Sequence, residues 1–349
     1  MTSTMTSRER VFRAVEFRSP DRAPRDLWPL PYVWMFRRDE HDAYYNEFPS
    51  DITYAASGLA KGERVRGESS RKGLYVDDWG CPFLAYEEGV IGEVKDPPLA
   101  DWSALATLRA PWETLKNGDW SKSVKSVEDN LAAANPKFML GGTTLRPFER
   151  MQFLRGTENL YMDLAYDTAE VRKLREIVHE FHLAELEQVC KLPVDGISYM
   201  DDWGSQTSLL ISPEMWRAFF KPLYKQYCDM IRAAGKKVFF HSDGNIRAIY
   251  GDLVELGIAA VNSQLFVMDI EELARSFKGK IAFWGEIDRQ WVLPFGTPED
   301  VRKAVGRVRR ALDGGQGGVF AQCEWGTTVP AENIKTVMRA WMEPVERLP

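Results

Sequence analysis

Apolar residues recur along this chain in two alternating rhythms. From residue 137 onward, short apolar runs that read as buried strands alternate with longer stretches whose apolar positions return every three or four residues, the spacing of one helix face. "KFMLGGTT" (137–144) predicts a strand ending in a Gly-rich turn, and "PFERMQFLRG" a helix with Pro147 at its start and Gly156 at its end. A long amphipathic helix is expected over 168–190, then a strand at "VDGISYM". "SPEMWRAFFKPLYKQYCDMIRAAG" predicts one helix, with Ser212 as N-cap, Trp216, Phe219, Phe220, Leu223, Tyr227 and Ile231 on its apolar face, and Gly235 at its end. Strands at "KKVFFHSDG", "IAAVNSQ", "KIAFWGEI" and "GGVFAQCEW" alternate with four further helices, the last closing the chain.

Strand–helix alternation with short connections is the pattern of a parallel sheet wrapped by helices. The expected fold is therefore α/β, a single (β/α)8 TIM barrel over residues 1–349. A doubly wound open sheet is the rival, weakened by the lack of a GxGxxG turn at any strand–helix junction. An N-terminal extension precedes the regular part. Residues 60–135 read as an insertion or lid: Gly-punctuated aromatic and β-branched runs predict a β-hairpin, followed by a helical or irregular excursion over 101–135.

Composition narrows the function. The 349 residues are 44% hydrophobic and 28% charged, with a formal net charge of −6, which fits a globular protein with a large core. There is no basic, aromatic-interleaved tract for nucleic acid and no apolar stretch long enough for a membrane span. The polar start "MTSTMTSRER" lacks the apolar core of a signal peptide, and the four cysteines have no close-spaced pair. A cytoplasmic protein with reduced thiols is expected. Twelve tryptophans fill a core or, in part, line a pocket, with Trp34 among the pocket candidates.

In parallel α/β folds the strand C-termini open on one face, and the polar residues there form the site. Those ends carry Thr143, Thr144 and Arg146; Tyr199, Asp201 and Asp202; His241 and Asp243; Asn262 and Gln264; Glu286 and Asp288; and Cys323 and Glu324. His241 and Asp243 are two apart, hence on one side of a strand. With Cys323 they offer a His, a carboxylate and a thiolate, three ligands that leave a fourth zinc position open. The plainer alternative is a hydrogen-bonded strand-end histidine and a cysteine packed as a small hydrophobe. The adjacent Asp201 and Asp202 of "YMDDWGSQ" must point opposite ways, one to the cleft and one to a helix cap or backbone amide, so they are no shared-proton dyad. The near-copy "YVDDWG" (75–80) has different flanks and is no internal repeat; a second wall of the same cleft is expected. Arg146 is a candidate anion ligand.

Several ordered motifs carry a resemblance. "GISYMDDWGSQTSLLISPEMWRAFFKPLYKQYCDMI", "GKKVFFHSDGNI", "GEIDRQWVLPFGTPEDVRKAV" and "VPAENI", spanning about 138–345, and more loosely "SRERVFRAVEFRSPDRAPRDLW", resemble the uroporphyrinogen decarboxylase superfamily. The resemblance implies a (β/α)8 barrel with a cleft at its C-terminal face. The Gln-Ala-Gly-Arg pattern of the true decarboxylases is missing from "PLPYVWMFRRDEHDAYY". The similarity is closer to the cobalamin-dependent methyltransferase branch, whose thiol-methylating members bind zinc through His-x-Cys and a later Cys. Here His241 and Cys323 match, Asp243 stands at the middle cysteine, and Glu324 or Glu286 is a further candidate ligand. That resemblance implies zinc at His241, Cys323, Asp243 and Glu324, with a cobalamin or corrinoid carried by a partner protein. The methyl group would move to or from a methoxylated or thiol small molecule. His241, Asp202 and Tyr199 are the expected catalytic residues, and Trp34, Arg146, Asp201, Gln206, Asn262 and Glu286 the substrate-binding ones. A carboxy-lyase acting on a small or tetrapyrrole acid is the alternative.

Overall fold

The computed structural model describes residues 5–349. Its strands in chain order are β1 (Arg25–Pro29), β2 (Ile52–Tyr54), β3 (Gly73–Val76), β4 (Pro82–Ala85), β5 (Glu93–Val94), β6 (Phe138–Gly142), β7 (Gly196–Met200), β8 (Lys237–Ser242), β9 (Ala260–Ser263), β10 (Ala282–Phe283) and β11 (Ala321–Trp325). Six of them form one curled parallel sheet in the order β10-β9-β8-β7-β6-β2, and β1 and β11 form a separate parallel pair. The protein is thus an α/β fold with a half-barrel sheet, not one continuous eight-stranded ladder. A few backbone bonds span the two gaps: Phe283 N–H donates to Gly318 O and Phe320 N–H to Phe283 O on one side, and Asp51 N–H to Arg25 O on the other, each at 2.9 Å.

Helices cover the outer face of the sheet, and their starts follow local chemistry. Thr168 accepts from Val171 N to open the helix Ala169–Lys191, and Thr297 with Asp300 forms a capping box at Pro298–Leu312. The single helix expected over 212–235 is two, Pro213–Phe219 and Lys221–Ala233. Pro222 is the cause: it has no N–H to give and clashes with the carbonyl of the preceding turn, so the helix breaks just ahead of it.

Two apolar layers result. The larger lies between sheet and helices. The inner one fills the space inside the curl with Ile52, Phe138, Leu140, Phe239, Trp284 and Phe320, capped by Val11, Ala14 and Val15 of the helix Ser7–Val15. The interior is filled by side chains, which leaves chemistry to the loops at the strand C-termini.

Residues 60–135 carry a three-stranded antiparallel sheet, β3-β4-β5, one strand more than a hairpin. A 3₁₀ turn at Trp102–Thr107 and a helix at Ser121–Leu131 follow. "YVDDWG" is the β3–β4 turn rather than a cleft wall. Asp77 accepts from Trp79 N and Cys81 N and is ion-paired with the buried Arg150, while Asp78 accepts from Gly62 N. Among the described residues, no helix is long and apolar enough to cross a membrane.

Candidate metal centre and cleft

His241 sits one residue before the end of β8 and is 7% exposed. Its Nδ1 lies 2.6 Å from Asn262 Oδ1, on the neighbouring β9. The Asn262 amide nitrogen donates to the Trp284 carbonyl, so its oxygen must face the histidine. An oxygen there requires a proton on Nδ1, so that in the neutral ring it is Nε2 that carries the free lone pair. That lone pair faces two carboxylates, Asp202 Oδ1 and Asp243 Oδ1, each 3.5 Å away.

Strand parity and a tight loop contact set this arrangement. His241 and Asp243 share a side because they are two residues apart. Asp202 is drawn in by accepting the Asp243 N–H at 2.9 Å. The loops after β7 and β8 touch backbone to backbone, with Gly204 N–H donating to Asp243 O at 3.0 Å. A Cβ on Gly244, whose φ is +77°, would meet Gly204 C at 2.1 Å. Glycine is required on both sides of this contact, which explains why both "DDWG" and "HSDG" end as they do.

Asp201 does different work. It is fully buried, accepts from the N–H groups of Phe148 (3.0 Å) and Glu149 (2.9 Å), and accepts the Tyr224 hydroxyl at 2.8 Å. It therefore caps the helix Pro147–Arg155, and the expectation that it binds substrate is corrected: every bond it makes is internal. Tyr199 is corrected likewise. It alternates away from the cleft into the layer under the helices, where its hydroxyl lies 3.5 Å from Cys228 Sγ. Trp34 is 43% exposed and packs tilted against His41 at 3.8 Å between ring centroids, with its indole N–H donating to Pro29 O and Arg38 over its ring, so these contacts are with residues near it in the chain.

The β11 pair splits by the same parity. Glu324 accepts from Arg289 Nη1 at 2.6 Å, on the cleft side. Cys323 is fully buried in the layer beneath the helices and adds to the field that pushes up the Tyr44 hydroxyl. Among the described residues, the His, Cys and carboxylate groups whose ligand atoms lie within 4.8 Å of one another are Asp202, His241 and Asp243. Cys323 and Glu324, expected as ligands, stand outside that group; Asp202 takes the third place. Burial pushes the Cys323 thiol well up, with Glu286, Asp26 and Glu324 adding to it, so it is not a ready thiolate.

Around the group stands a ring of acids tied by one base. Arg289 is bonded to Asp243 and Glu324 and has Glu286 at 3.7 Å. Glu286 is 2% exposed, and neither of its oxygens has a hydrogen-bond partner. Burial, with Glu324 and Asp243 adding to it against Arg289, pushes its carboxyl up to about 8. Burial likewise pushes Glu149 up to about 7, with Asp202 adding to it, and raises Glu324. Burial opposes a charged His241, but Asp202, Asp243 and Glu286 together outweigh it and hold the imidazolium above its ordinary range. A positively charged occupant would draw all these acids back down.

Arg146 lies at the rim, with Nη2 3.2 Å from Met200 Sδ and Nη1 3.7 Å from Glu149. Gln206 and Glu286 line a cavity of about 250 Å³ beside the group, together with Gln264, Asp288, Arg289 and Trp291. Sequence reasoning missed Arg289 and Glu149; Trp28, one of the tryptophans expected near strand ends, packs its ring 5.0 Å from His241. Arg289 had a signal, since it follows Glu286 by three in the same strand-end loop. Glu149 had none, because a helical first-turn glutamate is an ordinary sight.

The family model for uroporphyrinogen decarboxylase (URO-D) matches residues 76–343, most of the chain. The chain belongs to the uroporphyrinogen decarboxylase family. Within that family's part of the chain lie every acid of the cleft, His241 and Arg289. Among solved structures, a methyltransferase from Methanosarcina mazei is similar at a TM-score of 0.70 and 14% identity, over 97% of this chain and 98% of that one. An endo-β-1,4-xylanase from Gloeophyllum trabeum aligns at 0.47 and 10%, over 95% and 98%. No curated protein matches in sequence. At 14% identity the methyltransferase structure shares only the fold with this member of the uroporphyrinogen decarboxylase family, whose chemistry rests on its own residues.

Proposed function

We propose that this family member is a metal-assisted methyltransferase, moving a methyl group between a small molecule and a corrinoid held by a partner protein. The observation that carries the reading is the bare Nε2 of His241 aimed at two carboxylates, with Asp243 Oδ1 left without a hydrogen-bond partner. One imidazole nitrogen and two carboxylate oxygens suit zinc or another first-row divalent ion. Asn262 supplies the outer bond that such a ligand histidine ordinarily has. The similarity to a structure named as a methyltransferase supports the same branch. The reading also takes the eight parallel strands as one (β/α)8 barrel and the chain as a single domain.

Asp202, His241 and Asp243 would hold the ion, which when bound would act as a Lewis acid on the substrate heteroatom. Arg289 keeps Asp243 and Glu324 in place. Glu286 and Glu149, whose carboxyls titrate near neutrality, are placed to take or return a proton at the cleft wall. A cavity of about 250 Å³ is too small for a corrin ring, so the carrier would present it at the mouth.

Metal analysis of the purified protein beside His241→Ala, Asp202→Ala and Asp243→Ala tests this, with methyl transfer to reduced cobalamin followed by its absorbance. Stoichiometric metal in the wild type and loss in all three variants is expected; metal unchanged by the substitutions would refute the reading. The carboxy-lyase alternative draws on the same proton-holding acids, and carbon dioxide release by metal-stripped protein would favour it.

A further inference from the structure

The cavity beside His241 has an unusual lining. Its only cationic residue is Arg289, and that guanidinium is already engaged by Asp243 and Glu324 with Glu286 close by. Two acids line it, Glu286 and Asp288. Asp288 Oδ1 is used, accepting from Gln290 N and Trp291 N at 2.9 and 3.0 Å. Glu286 is not: both of its oxygens are buried and unpartnered. Burial disfavours the ionised form of this carboxyl, and it ionises at low cost only where something supplies donors and positive charge. Among the described residues none does so within hydrogen-bond distance, Arg289 Nε standing 3.7 Å away. An anionic ligand would meet these acids with no free base to receive it. A neutral methoxylated ligand would bring no donor to either oxygen. An ammonium brings both charge and an N–H donor, and Trp291, an exposed aromatic side chain on the cavity wall, is of the kind that attracts such a cation.

We propose that this cavity binds a small organic cation with an N–H donor, of the alkylammonium class, read by Glu286 and walled by Trp291. The inference deepens the proposed function by naming its substrate class, and it rests on that reading for the chemistry that follows binding. Binding itself is measured apart from turnover.

Calorimetric titration of the metal-loaded protein with trimethylammonium is the test, beside tert-butanol and pivalate as neutral and anionic isosteres of the same shape. Saturable binding of trimethylammonium alone is expected. Glu286→Gln should weaken it at least about tenfold, the worth of one charge-assisted hydrogen bond. Trp291→Ala, at an exposed position that does not threaten the fold, should weaken it about threefold. No binding of trimethylammonium, equal or tighter binding of either isostere, or affinity unchanged in Glu286→Gln would each overturn the proposal. So would stoichiometric displacement of trimethylammonium by added zinc, which would give the Glu286 oxygens to a metal. Cation binding that persists while methyl transfer to cobalamin fails would leave this site standing and refute only the reaction.

Discussion

Asp201 and Asp202 are neighbours in the chain with opposite duties, and removing each in turn separates stability from function. Asp201→Ala deletes a helix cap worth about 1 kcal/mol. It also strands three donors, the N–H groups of Phe148 and Glu149 and the Tyr224 hydroxyl, in a region closed to water. Each stranded donor costs about 1–3 kcal/mol, and since they share one site their costs overlap, so a loss of about 3–5 kcal/mol is expected. For a chain of this length the unfolding entropy scales to about 0.7 kcal/mol per kelvin, so the melting temperature should fall by about 4–7 °C. Asp202→Ala loses one accepted bond, from Asp243 N, at a carboxylate whose side chain is 37% exposed. That costs about 1 kcal/mol or less, about 1 °C. Metal content should behave in the reverse order: kept in the folded Asp201→Ala protein, lost in Asp202→Ala. Calorimetric melting and metal analysis on the same samples decide it. A larger drop in melting temperature for Asp202→Ala than for Asp201→Ala would refute the assignment of the two carboxylates.

Three further outcomes follow from the same contacts. Asn262→Ala frees the His241 tautomer and should weaken metal binding about 10–100-fold, read by competition with a chelating dye. Cys323→Ala should keep its metal and cost only about 1 kcal/mol of packing; loss of metal would return the cysteine to the ligand set. Asp26 is buried with Trp28, Trp284 and Ser50 as donors, and burial pushes its carboxyl up to about 6 from 3.8 against their pull. The folded state then holds a proton that the unfolded chain releases, so this group's stability is present at low pH and is lost as pH rises from about 4 to 6, about 3 kcal/mol in all. Melting curves of Asp26→Asn should gain on the wild type across that window and run parallel above it; parallel curves throughout would refute the shift.

What could be read from the sequence was periodic and local. The alternation of strand and helix from residue 137, the capping at Ser212 and Thr297, and the rule that i and i+2 share a strand face all work within one element. The Pro222 break was equally local and equally visible, yet the apolar spacing from Trp216 to Ile231 runs through it undisturbed, because two short helices in line bury the same face as one long one. The ligand set lay beyond local reach. "DD" and "CE" each offer two neighbouring residues, and only the register of the strand against its neighbours decides which one faces the cleft. His241 pairs with Met200 on one side and with Asn262 on the other. Once His241 is known to face the cleft, Asp243 must follow, and Asn262 beside it is available to orient the ring. On β11 the same parity sends Glu324 toward Arg289 and turns Cys323 to the helices. The resemblance to the zinc-binding branch drew the sequence reading to Cys323, while the geometry favours the carboxylates. The acid-rich character of the site also escapes a linear reading, because Glu149, Asp202, Asp243, Glu286 and Glu324 come from five separate segments of the chain, a helix start, a strand and three loops. A chain with a modest net charge of −6 can thus focus its negative field on one small mouth, where a cation is the natural occupant.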